Sequence, residues 1–473
     1  MPDASLAQPK DPNLPLYRYA ADRLVPVYGR RRGGKRIATV LLGEWMKIAE
    51  ADGHLPQSGR VRVAFRGGTG YVAPNHLSPL RHLEIFFIDV DQGDSILIQT
   101  PDDRRILIDG GQTDDAHGFI ITKYGLDKPD HYVDFEAVVA THSDMDHTGG
   151  LINILRDPRI AVKRVYHNGL WRRTKSAGDP GPHPSGRVRG LADEPALNAS
   201  PPLKYLMKRF LKAVRKAREN LPRVVAKMKD IPRWKGRIDT DLGPMPCKRL
   251  DAADRFLPPY DDHNPYVTME VLWPKADGSG SGASYPWYGD AGKTVNGNSI
   301  VLRLAHGRNV VLLTGDLNTA SMDDVLREYK RRRRNGRPML RTHVYKAAHH
   351  GSQHFSLDFL KALRPEAAVI SSGDNAKDRH GHPRAVLLGT ITRYSSRAKP
   401  AVFSTELARC YAKLSDRQRR DVQEYRGGLY EKAIEGIVHL RSNGRKMFLG
   451  TVHGRKGGPH RQALWKWDVW PEE

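Results

Sequence analysis

Cysteine is scarce in this chain. Cys247 and Cys410 are the only two in 473 residues, too few for a disulfide framework and without metal-ligand spacing, although a single bridge stays open. No apolar run approaches the roughly 20 residues that a bilayer-crossing helix needs. The opening, Met1 to Ser5, lacks the basic-then-apolar order of a secretory leader. A cytoplasmic protein with no membrane contact is therefore expected. Acidic residues are outnumbered: 53 Asp and Glu face 77 Lys and Arg, a formal net charge of +24 at pH 7. Such an excess bears on partners rather than on fold, and it favours nucleic acid or another polyanion over acid-binding surfaces. The bland reading is charge for solubility. The length leaves room for one large and one small domain, or for two to three domains.

Residues 1–20 are polar and proline-bearing, and read as a tail. From Leu24 to Val72, short β-type runs alternate with turns at Gly43-Glu44, Asp52-Gly53 and Gly67-Gly68. That spacing predicts a small all-β barrel over about 21–80. Strands are then predicted at Glu84 to Val90, Ser95 to Gln99, Arg105 to Ile108 and Val162 to Tyr166. From about 172 to 262 the pattern changes to Pro, Gly and basic residues. It includes a helical stretch in which Leu203, Leu206, Phe210, Val214, Ala217 and Leu221 recur among lysines and arginines, until Pro222 ends or kinks it. A helix this basic suits a phosphate backbone, and equally suits a solvated outer face. A second basic run spans Lys330 to Arg334. Further strands are predicted at Val267 to Trp273, Val310 to Thr314, His343 to Ala347 and Ala367 to Ser371. The last β-type segments, Gly436 to Leu440 and Lys446 to Val452, are expected to complete a second sheet.

The densest chemistry lies at Thr141-His142-Ser143-Asp144-Met145-Asp146-His147-Thr148-Gly149-Gly150. A buried strand, Phe135 to Ala140, leads into it, and Leu151, Ile152 and Leu155 begin a helix after it. Two imidazoles and two carboxylates thus share one strand-to-helix loop, at i, i+2, i+4 and i+5, where they can converge on a metal ion. The alternative is a polar loop with scattered charges.

The pattern His142-x-Asp144-x-Asp146-His147-x-Gly149-Gly150 resembles the signature of the metallo-β-lactamase fold. The usual form has histidine where this chain has Asp144. The aspartate variant is similar to the hydrolase domain of ComEC/Rec2 competence proteins and their stand-alone soluble relatives. Landmarks before and after it resemble the same family in the same order. They are Asp91-Gln92-Gly93-Asp94, Ile108-Asp109-Gly110-Gly111, Asn296-x-x-Ser299, Thr314-Gly315-Asp316, His349-His350-Gly351-Ser352 and Gly381-His382-Pro383. Asp91 stands where the family has glycine, and Asp tolerates a positive φ better than most residues. Gly43-Glu44-Trp45 and Gly70-Tyr71-Val72 are similar to bacterial SH3-like domains, which bind peptides or a partner surface; a purely structural appendage is the alternative.

The resemblance implies an α/β fold, a four-layer αββα sandwich over 81–473 carrying the basic insertion. It implies one ion held by His142, Asp144 and a bridging Asp316, and a second held by Asp146, His147, Asp316 and a histidine of the 349–350 pair. His349 is preferred as that ligand, with His350 supporting it or facing substrate. Where relatives have a further histidine, only Asn296 or Asn298 is on offer. Asp109 supports the metal loop from behind. An oxygen-rich set favours Mn²⁺ or Mg²⁺, with Zn²⁺ also accommodated. Two such ions suit displacement at phosphorus, with Lys346, Ser352 and His382 as rim groups that hold the phosphate or protonate the leaving oxygen. The implied activity is phosphodiester hydrolysis by a DNA nuclease. The alternatives are a hydrolase of a small ester (phosphocholine ester, lactone or cyclic nucleotide), or a partner- or DNA-binding protein with a vestigial site.

Overall fold

The computed structural model describes residues 17–49, 59–65, 68–173, 185–198, 202–231, 234, 238–239, 242–373, 381–409 and 431–452. Cys410 lies outside them, as do Asp52, Gly53 and Gly67 of the expected turns.

Two sheets pack face to face. The first has the strand order Cys247–Arg249, Val165–His167, Ala137–Ala140, Arg105–Ile108, Ile96–Gln99, Leu83–Phe87, Ile437–Ser442, Met447–Val452. The second runs Thr268–Trp273, Val301–His306, Asn309–Leu313, Val344–Lys346, Ala367–Ile370, Ala401–Ser404. The central strands are apolar on both faces, as strands covered on both sides must be. Ile85, Ile98, Ile106 and Val139 of the first sheet meet Val271, Leu302, Leu313 and Val344 of the second in one buried cluster. The opposite faces are covered by helices. Helices α1 (Asp115–Tyr124), α2 (Met145–Thr148), α3 (Leu151–Arg156) and α4 (Tyr205–Met228) lie on the side of the first sheet, and α1, α3 and α4 share one core with it. On the other side are α5 (Ala291–Gly297), α6 (Thr319–Tyr329), α7 (Leu357–Leu363) and α8 (Ala385–Tyr394), of which α6, α7 and α8 pack on the second sheet. This is the expected αββα sandwich.

Three expectations need correction here. Tyr17–Ala20, placed in the tail, is a strand that pairs with both Trp45–Ile48 and Leu77–Ser78. The segments Ile437–Ser442 and Met447–Val452 complete the first sheet, not the second, because Ile437–Ser442 pairs antiparallel with Leu83–Phe87. Pro222 does not end α4. It sits exposed within the helix, which continues to Met228. The insertion is therefore integral: Met207, Phe210, Leu211, Val214 and Ala217 are buried against α3 and the sheet, and the lysines and arginines face outward.

The N-terminal residues form a seven-stranded antiparallel sheet with its own core of Val25, Val27, Val40, Met46, Val61 and Val63. It is a small all-β unit, as its turns predicted. It docks on the 442–446 turn of the first sheet. Lys446 pairs with Asp22 at 2.8 Å and Asn443 donates to the Ala21 carbonyl at 3.2 Å. Cys247 is buried and carries no disulfide.

One topological fact positions the site. Arg105–Ile108, Ala137–Ala140 and Val165–His167 are parallel, and so are Asn309–Leu313, Val344–Lys346 and Ala367–Ile370. Parallel strands deliver their C-terminal ends to one edge, so loops far apart in sequence meet there.

Because α4 supplies an outer layer rather than a surface decoration, Phe210→Ala is expected to destabilise the fold by about 3–5 kcal/mol. A lowered urea midpoint measures it; an unchanged midpoint would show that α4 is dispensable.

Candidate metal centre

The loops at this edge are held backbone to backbone. A Cβ on Gly150 would lie 2.0 Å from the Gly110 carbonyl, one on Gly149 2.5 Å from the Gln112 carbonyl, and one on Gly93 2.3 Å from the Asp146 carbonyl. Only hydrogen fits at these three contacts. Asp91 adopts φ 56°, the left-handed conformation its place in the motif implied, and Asp109 adopts φ 57°.

Asp109, fully buried, receives the Thr141 N–H at 2.7 Å, the Thr141 hydroxyl at 2.6 Å and His147 Nδ1 at 2.8 Å. It therefore stands where the sequence placed it, behind the loop, and it turns His147 Nε2 toward the site. His142 is oriented in the same manner. The Thr141 hydroxyl is committed to Asp109, and the Ser299 hydroxyl donates to the Asn296 carbonyl at 2.7 Å. Both hydroxyl oxygens are left to accept from His142 Nδ1, at 3.1 and 3.2 Å. The proton thus sits on Nδ1, and His142 Nε2 is a bare lone pair.

Nε2 of His350 lies 3.3 Å from Nε2 of His147, 3.3 Å from Asp316 Oδ2 and 3.4 Å from Asp146 Oδ2. Its Nδ1 donates to the Ser371 carbonyl at 3.0 Å. His147 Nε2 is 3.3 Å from Asp316 Oδ1. On the other side of Asp316, His142 Nε2 lies 3.9 Å from both Asp316 Oδ2 and Asp144 Oδ2. Asp316 thus faces both groups.

The histidine pair reverses the expected order. His350 is wholly buried among three ligand-type atoms, whereas His349 is partly exposed and reaches Asp316 Oδ2 only at 3.9 Å. Two consecutive left-handed residues, φ 51° and 53°, swing the two rings apart, a costly conformation of the kind found at functional sites. Asn296 also differs from expectation. Its amide nitrogen donates to Asp144 Oδ2 at 3.0 Å and to the Gly292 carbonyl at 3.1 Å, so it braces Asp144 instead of offering it a companion oxygen. Asn298 donates to the Pro286 and Thr294 carbonyls and holds the local fold.

The three rim candidates separate. Lys346 is not at a rim: it is fully buried and its ammonium is paired with Asp94. Ser352 accepts from the His354 N–H at 3.2 Å and caps a turn. His382 does reach the centre, its ring 5.8 Å from that of His349 and 6.4 Å from that of His350.

Asp94, quoted above only as part of a turn motif, belongs to this centre. Its Oδ1 is 3.3 Å from His350 Nδ1, and ligand atoms of Asp94, His147, Asp316 and His350 all lie within 4.8 Å of one another. Its signal was its place at a strand-end turn, which carries no information about a lysine 252 residues away. Arg172 was also missed. Its Nη2 lies 2.5 Å from Asp144 Oδ1.

The electrostatics follow from burial. Burial raises Asp144, against the opposing charge of Arg172. Burial also works to raise Asp146 and Asp316, but for Asp146 the His350 hydrogen bond and His147 charge outweigh it, and for Asp316 the His350 and His147 charges do; both are held below the usual carboxylate range. Burial and the neighbouring His147 push His142 down to about 3. Burial works against charged His147 and His350 too, yet the Asp316 charge, with Asp109 for one and the Asp146 hydrogen bond for the other, raises both.

These residues fit a divalent metal. Three imidazoles present Nε2 inward with Nδ1 tied behind, and His142 Nε2 and Asp316 Oδ1 are buried without a hydrogen-bond partner. Buried carboxylates in this number call for positive charge, which divalent ions supply while the imidazoles release their protons. A small pocket adjoins His142, walled by Leu170, Trp171, Met207 and Phe210.

Lys346→Ala leaves Asp94 buried without its ammonium partner, and is expected to cost about 3–5 kcal/mol in chemical denaturation. The pair Asp94→Asn with Lys346→Met is expected to recover most of that. A harmless single substitution would show that the ion pair is not closed to water.

The sequence over residues 88–372 matches the Metallo-beta-lactamase superfamily. ComE operon protein 3 of Bacillus subtilis (strain 168) is 24% identical over 334 residues, 66% of this chain and 31% of that protein. The chain thus spans less than a third of the length of the curated relative it matches. Among solved structures, CmlA, a diiron beta-hydroxylase from Streptomyces venezuelae, aligns with 68% of this chain and 52% of its own at 10% identity, with a TM-score of 0.33. Zn(2+)-bound PqqB from Methylobacterium extorquens aligns with 59% of each chain at 10% identity, with a TM-score of 0.24. Similarities that weak say nothing about substrate. The matched residues cover more than half of the sequence, and the chain belongs to the metallo-beta-lactamase superfamily.

Proposed function

We propose that this chain is a metal-dependent phosphodiesterase that acts on DNA, of the soluble ComEC/Rec2-like kind. The observation that carries the reading is the cluster at the sheet edge: the partly buried Asp144 and Asp146 and the buried Asp316 beside Nε2 of His142, His147 and His350. Three carboxylates share the site with three imidazoles, a mixed oxygen and nitrogen set that suits Mn²⁺ or Mg²⁺, with Zn²⁺ also accommodated. The net charge of +24 supports a polyanionic substrate, and the similarity to ComE operon protein 3 supports the subgroup.

Asp146, His147, Asp316 and His350 would hold one ion, and His142, Asp144 and Asp316 the other. Bound there, two ions supply a Lewis acid for the phosphoryl oxygens and water acidified for attack at phosphorus. The chain's own residues do the rest. Asp109 fixes the tautomer of His147, Ser299 and Thr141 fix that of His142, and the Ser371 carbonyl fixes that of His350. His382, beside the histidine pair, is placed to give a proton to the leaving oxygen. His349, the more exposed histidine, is placed to meet substrate. The N-terminal sheet, from Tyr17–Ala20 to Leu77–Ser78, acts as an SH3-like module that engages a protein partner.

Labelled single- and double-stranded DNA, incubated with Mn²⁺, Mg²⁺ or Zn²⁺, tests this. Metal-dependent cutting is expected, falling to background in Asp146→Ala. No cutting by the native protein with bound metal verified, across all three ions, would sink the nuclease. Hydrolysis confined to small phosphodiesters would favour a small-ester hydrolase. Asp109→Asn, which weakens support of the loop without removing a ligand, is expected to lower metal affinity or turnover about 10–100-fold. Metal titration and steady-state rates read it.

A further inference from the structure

The two halves of the centre are not electrostatically equal. In the inner half, the one that adjoins the buried Asp94–Lys346 pair, Asp146 and Asp316 face His147 and His350. In the outer half, Asp144 is already held by the partly buried Arg172 at 2.5 Å. Lys346, fully buried, is committed to Asp94.

Arg172 is fixed in this position by its backbone. It follows Trp171, which is buried against His167 and Phe210. Its carbonyl accepts the Lys204 N–H at 2.9 Å, and Arg173 next to it bridges to Leu203. The segment entering α4 therefore pins the guanidinium against the metal loop. Within Asp144 the oxygens divide the work: Oδ1 meets Arg172, while Oδ2 faces His142 Nε2 and the Asn296 amide. The carboxylate can still offer Oδ2 to an ion, but with its charge largely neutralised. A guanidinium stays charged at any working pH, so this neutralisation is permanent.

We propose that Arg172 makes the outer position a weak, exchangeable metal site, leaving the inner position as the tight one. The chain then carries one resident ion and takes up the second in proportion to free divalent metal. This rests on the metal-centre reading above and adds to it a residue that sets occupancy.

Titration of the full chain with Mn²⁺ alone, following free Mn²⁺ by electron paramagnetic resonance, tests it without any substrate. The native protein is expected to show two classes of site differing at least tenfold in affinity. Arg172→Gln is expected to tighten the weak class at least tenfold and leave the tight class in place, whereas Arg172→Lys, which keeps the charge, retains the weak class. Asp144→Asn is expected to remove the weak class alone. Two equivalent sites in the native protein, or superimposable curves for native and Arg172→Gln, would overturn the role of Arg172 while leaving the dinuclear centre intact. Loss of the tight class in Asp144→Asn would overturn the assignment of the two positions. Absence of any Mn²⁺ binding would overturn this inference and the metal-centre reading together. Failure to cut DNA with two unequal classes present would overturn only the nuclease.

Discussion

The structure depends on one buried carboxylate. Asp109 lies at the end of Arg105–Ile108 and accepts from the backbone and hydroxyl of Thr141 and from the ring of His147. These three hydrogen bonds join two adjacent parallel strands at their C-terminal ends and aim the metal loop. A fully buried carboxylate is tolerated only when its oxygens are satisfied, and here the satisfying donors are the residues whose positions matter. The chemistry that stabilises Asp109 is therefore the same chemistry that builds the centre.

Around that hub the loops approach at backbone distance. Gly149 and Gly150 press on Gln112 and Gly110, and Gly93 presses on Asp146. Such contact leaves no space for side chains at these glycines. The left-handed turn at His349 and His350 uses the same economy on the facing sheet. It drives one imidazole inward and leaves the other partly exposed.

Charge is segregated by depth. The centre is acidic and buried, and the outer face of α4 is basic and exposed. Lys346 holds Asp94 beneath His350, and Arg172 holds Asp144 at the outer side. Since Arg172 and the apolar face of α4 lie in one stretch of chain, the segment that covers the first sheet also shapes the electrostatics of the site.

Much of this was legible in the residues. Apolar runs marked the central strands, because burial on both faces demands continuous hydrophobicity. The strand-to-helix loop at His142 to Gly150 marked itself as the place where ligand-type side chains gather, since its imidazoles and carboxylates are closely spaced in the chain. The left-handed turn at Asp91 followed from its place in the motif, and a supporting role for Asp109 from the family pattern. The rest required the fold. Which of two adjacent histidines points inward is set by backbone torsions that neighbouring loops impose. Whether Lys346 reaches solvent depends on Asp94, brought beside it only when the two sheets close. The final strands joined the first sheet because Leu83–Phe87 offered an open edge there, and α4 ran past Pro222 because its buried face continued to Met228. Local sequence determines what a segment can form and which chemistry it carries. Partners far apart in the chain decide where it goes, because their burial and charge compensation exist only once the layers are assembled.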